Sequence, residues 1–293
     1  MFLKQFRFLM PAIAASCLAA NMAFAAPPAV VPVGNTGNKA DTTNYGAVAY
    51  EYKIGKYEVT NEEFCEFLNA VAKSDTHDLY DGRMDGGPEE WGGIARSGDS
   101  GSYKYTVRAN MGKKPVNYVT FLTAVRYVNW LSNGQGKGDT ETGTYKISGD
   151  SAKSPNHAEL AKEKSTKWVV ASENEWYKAA YYDPNKKGGA GYWQYSGKSD
   201  LPPSANLNTN APTDAGQFKD AVSPYGTLDQ GGNVWEYNDS QSDGKVGLRG
   251  GSFFINDNEN YMISFTRYDV LSAKWPNYGF RVAALGGDES PNK

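Results

Sequence analysis

Short periodic stretches alternate along the chain with long polar ones. Val48 to Tyr57 carries alternating aromatic and apolar positions, the two-residue period of a half-buried strand. Thr60 and Glu63 then form a T-x-x-E capping box. Phe64, Phe67, Leu68 and Val71 follow at helical spacing, which predicts a helix through about Ala72. A second helix is predicted from Phe121 to Leu131, with Thr120 as cap and Ala124, Val125, Val128 and Leu131 inward. Ser132-Asn133-Gly134 stops it. Lys167 to Val170 reads as a short strand. Ser172 and Glu175 make another capping box, opening a helix from Glu173 to Tyr182 that ends at Asp183-Pro184. Trp176 on it reads as a core anchor or, alternatively, a ligand platform.

The intervening stretches are polar. Residues 73–113 are rich in Gly, Asp and Ser, with isolated aromatics at Tyr80, Trp91, Tyr103 and Tyr105. So long an irregular segment in a compact domain tends to be functional or poorly ordered. Residues 135–166 and 184–225 read as loop in the same way, and 26–46 as a loose leader.

The first 25 residues have another pattern. Lys4 and Arg7 precede an apolar run from Phe8 to Ala20, and Ala23-Phe24-Ala25 supplies an A-x-A cleavage site. This is the signature of a secretory signal peptide, so a secreted or periplasmic location is expected. Ala14-Ala15-Ser16-Cys17 offers the alternative of lipid anchoring at Cys17, although Ala stands where Leu is usual. No linker or repeat divides the rest, so one domain is expected over 47–286, followed by a polar tail at 287–293. Losing Lys4 and Arg7 moves the net charge from −3 to −5. Such a chain has no electrostatic reason to seek nucleic acid or anionic membrane, and no later stretch is long and apolar enough to span a bilayer. Once Cys17 leaves, Cys65 has no intrachain disulfide partner. It reads as a small helix residue, the alternative being a reactive thiol. Domain size, or a bound cation, must then supply rigidity.

The stretch that organises the chain is YGTLDQGGNVWEY, residues 225–237. Asp229 and Glu236 bracket a Gly-Gly turn whose carbonyls can face a hard cation, and all-oxygen ligation suits calcium. The alternative is a tight turn with Trp235 as core. Together with RGGS (249–252) and GFRVA (279–283), this stretch resembles the end of the sulfatase-modifying-factor family, which includes the formylglycine-generating enzymes. Gly55 to Asn61 (GKYEVTN) resembles its opening motif, Lys114 to Val119 (KPVNYV) the segment before its second helix, and Ala171 to Trp176 (ASENEW) the start of its third. The resemblance runs from about Tyr50 to Ala284. It implies an α+β, C-type-lectin-like fold with short antiparallel strands, about three helices and extensive loops. It also implies a calcium held by Asp229, the Gly232 and Val234 carbonyls, and Glu236. Asp229 stands where the enzymes carry an amide. Asn206, Leu207 and Asp214 lie near the family's first calcium position, with a departing Asp spacing.

The resemblance implies less about chemistry. Formylglycine-generating enzymes oxidise a substrate cysteine with copper held by two cysteines between RGGS and GFR. Here residues 253–278 contain no cysteine, and Phe265 to Val270 fill the place of the pair. Soft Cu(I) wants thiolates, so copper is not expected. A second branch uses iron held by clustered histidines, whereas the mature chain has only His77 and His157, in separate loops. Iron is not expected either. Nucleophile-elbow, dinucleotide, Walker and zinc spacings are absent.

What fills 253–275 is Phe253, Phe254, Tyr261, Phe265, Tyr268 and Trp275, interleaved with Asn256, Asp257, Asn258, Asn260, Arg267 and Asp269. Rigid aromatics among adaptable polar groups make paratope-like chemistry, the alternative being core strands. The region corresponds to the one diversified in ligand-display members of the family. The reading is a secreted, calcium-stabilised lectin-like scaffold without formylglycine-generating activity. It would bind a protein or glycan through Phe253, Phe254, Tyr261, Phe265, Arg267, Tyr268 and Trp275. The rival is an oxidoreductase of the formylglycine-generating or iron type acting on a cysteine or small thiol. A structural surface component is the third reading.

Overall fold

The computed structural model describes residues 26–147, 161–162, 168–242, 244–254 and 257–286. The expected signal peptide with Cys17, His157, Asn256 and the tail at 287–293 lie outside the described residues.

Three helices form where the caps are. In α1 (Asn61–Val71) the Thr60 hydroxyl accepts from the Glu63 backbone N–H, while the Glu63 carboxylate accepts from the Thr60 N–H. α2 (Phe121–Ser132) is capped by Thr120, and α3 (Glu173–Tyr181) by the reciprocal pair Ser172 and Glu175. The strands are β1 (Val30–Val33), β2 (Tyr52–Gly55), β3 (Ile94–Ser97), β4 (Lys104–Val107), β5 (Tyr145–Lys146), β6 (Ala161–Lys162) and β7 (Trp168–Val170). After α3 come β8 (Tyr182–Asp183), β9 (Gly191–Tyr192), β10 (Trp235–Ser242), β11 (Lys245–Arg249), β12 (Tyr268–Val270), β13 (Tyr278–Phe280) and β14 (Val282–Leu285).

Two four-stranded sheets organise them, in the orders β1-β2-β14-β7 and β12-β11-β10-β13. Every ladder is antiparallel except β10 with β13, where Trp235 lies beside Tyr278 and Tyr237 beside Phe280. Core aromatics interlock between α1, α2 and β13: Phe64, Phe67, Tyr127, Trp130 and Phe280 stand at ring separations of 5.3–6.0 Å.

Two expectations need correction. The supposed loose leader supplies β1, paired with β2 from Val30↔Gly55 to Val33↔Tyr52, with Val33 in the core. Its Pro residues hid it: Pro32 breaks the pattern, and an edge strand tolerates a proline. The stretch 73–113 is ordered around the β3–β4 hairpin, and Tyr80, Trp91 and Tyr105 are buried. A two-strand hairpin of four-residue strands leaves little periodicity to detect.

Candidate functional site

The motifs that carry the family resemblance are tied together by two buried ion pairs. Arg281 of GFRV donates to both Glu236 oxygens, at 2.7 Å to Oε1 and 3.0 Å to Oε2, and Glu236 Oε2 also accepts from Trp176 Nε1 at 2.7 Å. Neither partner is exposed at all. Arg249 of RGGS pairs with Glu173 of ASENEW at 2.6 Å. Trp176 is therefore a core anchor. Glu236, expected as a calcium ligand, has both oxygens engaged by a cation and an indole. It does not fit that role.

The turn before it is strained in the manner of a fixed loop. Gly232 has φ of 88°, and a Cβ there would meet the Asn206 carbonyl oxygen at 2.6 Å, while Asp229 and Asn233 also have positive φ. Asn206 is buried and donates to Asn233 Oδ1 at 3.0 Å, whereas Asp214 is exposed to solvent. Leu207 packs against Met262 and Ile263. The structure thus gathers Asn206, Asp229, Gly232 and Asn233 but leaves Asp214 outside.

One acid in this cluster was missed from the sequence. Glu58, in GKYEVTN, is buried beside Asp229 and Glu236. Burial, then the neighbouring carboxylates, push its carboxyl well up, against the pull of Arg281. Glu58 Oε1 has no hydrogen-bond partner. Asp229 accepts the Gly216 N–H, and burial raises its carboxyl to about 6. These acids fit a hard cation in donor type. Among the described residues no three Asp, Glu, His or Cys side chains are grouped as metal ligands. A calcium here would therefore rest on Asp229, Glu58 and backbone carbonyls.

The other candidate surface is a cleft of about 380 Å³ on the β12-β11-β10-β13 sheet. Strand alternation sends Trp235, Leu248, Tyr268, Val270 and Tyr278 to the same side. Phe254, Asp257, Tyr261, Trp275 and Asn277 close the cleft from the loops. Trp235, Tyr261 and Tyr268 pack on one another at 5.3–6.0 Å, which fixes their orientation. Asp257 Oδ2 accepts from Ser252 Oγ at 2.6 Å and from Trp235 Nε1 at 3.0 Å. Burial raises the Asp257 carboxyl, and these hydrogen bonds oppose the rise.

Of the seven ligand-binding residues expected, four line this cleft: Phe254, Tyr261, Tyr268 and Trp275. Three do not. Phe253 is fully buried against Trp91 at 5.2 Å, and its carbonyl and N–H are held by the Asn210 N–H and the Asn233 carbonyl. Arg267 is spent on Glu173 (2.8 Å) and Asp269 (2.6 Å). Phe265 is 66% exposed and stands outside the cleft. Trp235, Asn277 and Tyr278 were missed. Only the parallel β10–β13 pairing brings them in, and nothing local in the sequence signals it.

Of the residues of the enzyme readings, Cys65 and His77 are elsewhere. Cys65 is buried in α1, and burial raises its thiol to about 11, which removes it as a nucleophile at neutral pH. His77 lies 3.6 Å from Glu141, a carboxylate already held by Arg126 through two hydrogen bonds. Among the described residues no Cys or His lines the cleft.

An α+β domain built of small sheets around buried motif ion pairs, with an aromatic cleft on one sheet, is the class these features define. The family model described as the sulfatase-modifying factor enzyme 1-like domain matches residues 28–285, and the chain belongs to that family. The match takes in β1, so the domain begins ahead of the boundary expected at residue 47. Among solved structures, Treponema denticola variable protein 1 is 18% identical, with 87% of this chain and 94% of that one covered and a TM-score of 0.53. CarF is also 18% identical, with coverages of 89% and 99% and a TM-score of 0.53. PvdO from Pseudomonas aeruginosa is 17% identical, with coverages of 88% and 92% and a TM-score of 0.47. At these identities the first two likenesses establish the fold. No curated protein matches the chain. Among the described residues no helix is long and apolar enough to cross a membrane.

Proposed function

We propose that this chain is a secreted, lectin-like binding domain of the family, without formylglycine-generating activity. It takes a protein or glycan ligand in the aromatic cleft. The observation that carries this reading is the cleft itself: six aromatic side chains, Asp257 and Asn277 line it. Such a site offers stacking area and a few oriented polar groups, the ordinary make-up of a ligand site. The copper chemistry of the formylglycine enzymes needs two thiolates, and 253–278 holds none. Incubation of the copper-treated protein with a cysteine peptide is expected to give no aldehyde. Aldehyde formation above a protein-free control would overturn the reading.

Trp275 is 53% exposed, so its removal leaves the core intact. Trp275→Ala is expected to weaken any cleft ligand by about tenfold or more, with the melting temperature almost unchanged. Equal affinity of variant and parent would place binding elsewhere.

Calcium is proposed as a structural cation beside Asp229 and Glu58, supplying positive charge to carboxylates that lack a full complement of partners. The sign of the pH effect tests it. Asp229 is raised to about 6 from the usual value of 3.8. Its contribution to stability is therefore fully present below about pH 3.8 and is lost as pH rises through about 6, a loss on the order of 3 kcal/mol. In chelator, Asp229→Asn should be more stable than the parent at pH 8, with the gap closed at pH 4. Added calcium should restore the parent at pH 8 and leave the variant little changed. A parent melting curve at pH 8 that ignores both chelator and calcium would remove the cation.

A further inference from the structure

Among the described residues Asp257 is the one charged side chain lining the aromatic cleft, and no cationic side chain among them pairs with it. Its hydrogen-bond donors among the described residues, the Ser252 hydroxyl and backbone and Trp235 Nε1, are all neutral. The basic side chains on the surrounding segments are committed elsewhere. Arg267 is held by Glu173 and Asp269, Lys274 by Asp78 at 2.6 Å, and Arg83 by Asp81 at 2.8 Å. The rings of Trp235, Tyr261, Tyr268 and Tyr278 line the same space, and an aromatic face carries the negative side of its quadrupole. A half-buried carboxylate among aromatic faces is a low-dielectric site for positive charge, where a cation–π contact and a charge-assisted hydrogen bond act together.

The rim extends beyond what a small cation would cover. Tyr268, Leu271 and Trp275 are 45%, 60% and 53% exposed, and they follow one another along the strand and loop that flank the cleft. An aliphatic side chain such as Leu271 gives no stacking surface to a sugar, but it packs against a hydrophobic side chain of a peptide. Exposed apolar area of this kind, continuous with a built pocket, marks a protein contact.

Resting on the cleft as the binding site, we infer that its ligand is a peptide segment of a partner protein carrying a lysine or arginine. The cationic side chain enters the cleft against Asp257, and apolar neighbours cover Tyr268, Leu271 and Trp275. The carboxylate supplies charge selection, while the rings and rim supply contact area.

The test uses the mature chain and four acetylated, amidated tripeptides, Leu-Arg-Leu, Leu-Lys-Leu, Leu-norleucine-Leu and Gly-Arg-Gly. Choline and a panel of methyl glycosides complete the set, with affinity read by calorimetry at two ionic strengths. The Arg and Lys peptides are expected to bind at least tenfold more tightly than the norleucine peptide, and to weaken with added salt. Gly-Arg-Gly and choline should be several-fold weaker than Leu-Arg-Leu. Asp257→Asn, which keeps an oxygen acceptor for Ser252 and Trp235, should bring the Arg, Lys and norleucine peptides within about twofold of one another. Tyr268→Ala should weaken all the leucine-bearing peptides together. Equal binding of norleucine and arginine peptides overturns the cation. Choline binding as tightly as Leu-Arg-Leu overturns the peptide source. Binding of glycosides with no response to any peptide overturns this inference and leaves the cleft as a binding site. Binding that ignores both Asp257→Asn and Tyr268→Ala overturns the cleft itself.

Discussion

Replacing Glu236 by alanine should lower the melting temperature by roughly 6–20 °C, the largest single-site effect expected in this protein. Arg281 and Glu236 are both completely buried, and the guanidinium makes two hydrogen bonds to the carboxylate. Removing one partner of such a pair strands an uncompensated charge and costs about 3–5 kcal/mol. In a domain of this size each kcal/mol corresponds to about 2–4 °C. Trp176 Nε1 would lose its acceptor as well. Some of the stranded charge is met by Glu58 and Asp229, which already act on Arg281, so the loss should not exceed that range. The double variant Glu236→Leu with Arg281→Met removes both charges and should recover much of the loss. Circular dichroism melts of the single and double variants measure it. A single variant within 2 °C of the parent would mean that the pair does not hold the motifs together.

Trp235→Ala should be nearly as damaging and should also abolish cleft binding. The indole is 6% exposed, packs at 5.5 Å against Tyr261 and 5.3 Å against Tyr268, and donates to Asp257. Truncating a buried Trp costs about 3–5 kcal/mol. Here the loss also removes the floor of the cleft and the group that orients its carboxylate. Trp235→Phe keeps the ring packing but not the indole N–H, so it should retain most of the stability while weakening ligand binding by a few-fold. Denaturant unfolding of both variants, beside their ligand affinity, separates the packing role from the hydrogen bond. Full ligand affinity in Trp235→Ala would exclude the cleft.

The helices were legible because each carries its own boundary chemistry. Thr60 with Glu63, Thr120, and Ser172 with Glu175 cap three helices whose ends fall within a residue or two of those expected. The short strands were less so: β1 is four residues interrupted by Pro32, and β10–β13 is a parallel contact between segments more than forty residues apart. The candidate site divides along the same line. Phe254, Tyr261, Tyr268 and Trp275 were found because they cluster in one stretch of sequence. Trp235, Leu248 and Tyr278 reach the cleft by sheet register alone, and Asn277 by its place just ahead of β13. Phe253 and Arg267 fall outside the cleft, and an aromatic or an arginine in such a stretch reads alike whether it faces solvent or an interior partner. The pairing of Glu236 was hidden for a related reason, since its partner Arg281 sits 45 residues downstream. Glu58 gave no local signal at all, being one carboxylate in a run of mixed residues.

The most direct test of the central claim, that this family domain binds through the aromatic cleft, is a footprint of bound ligand on the tryptophans. The chain has seven, so a binder selected from displayed peptide and glycan collections can be titrated while the indole N–H resonances of the protein are followed by NMR. The account predicts saturable shifts of the Trp235 and Trp275 resonances, with the buried Trp176 and Trp130 unmoved. Saturable binding that shifts other indoles and leaves Trp235 and Trp275 in place would contradict it.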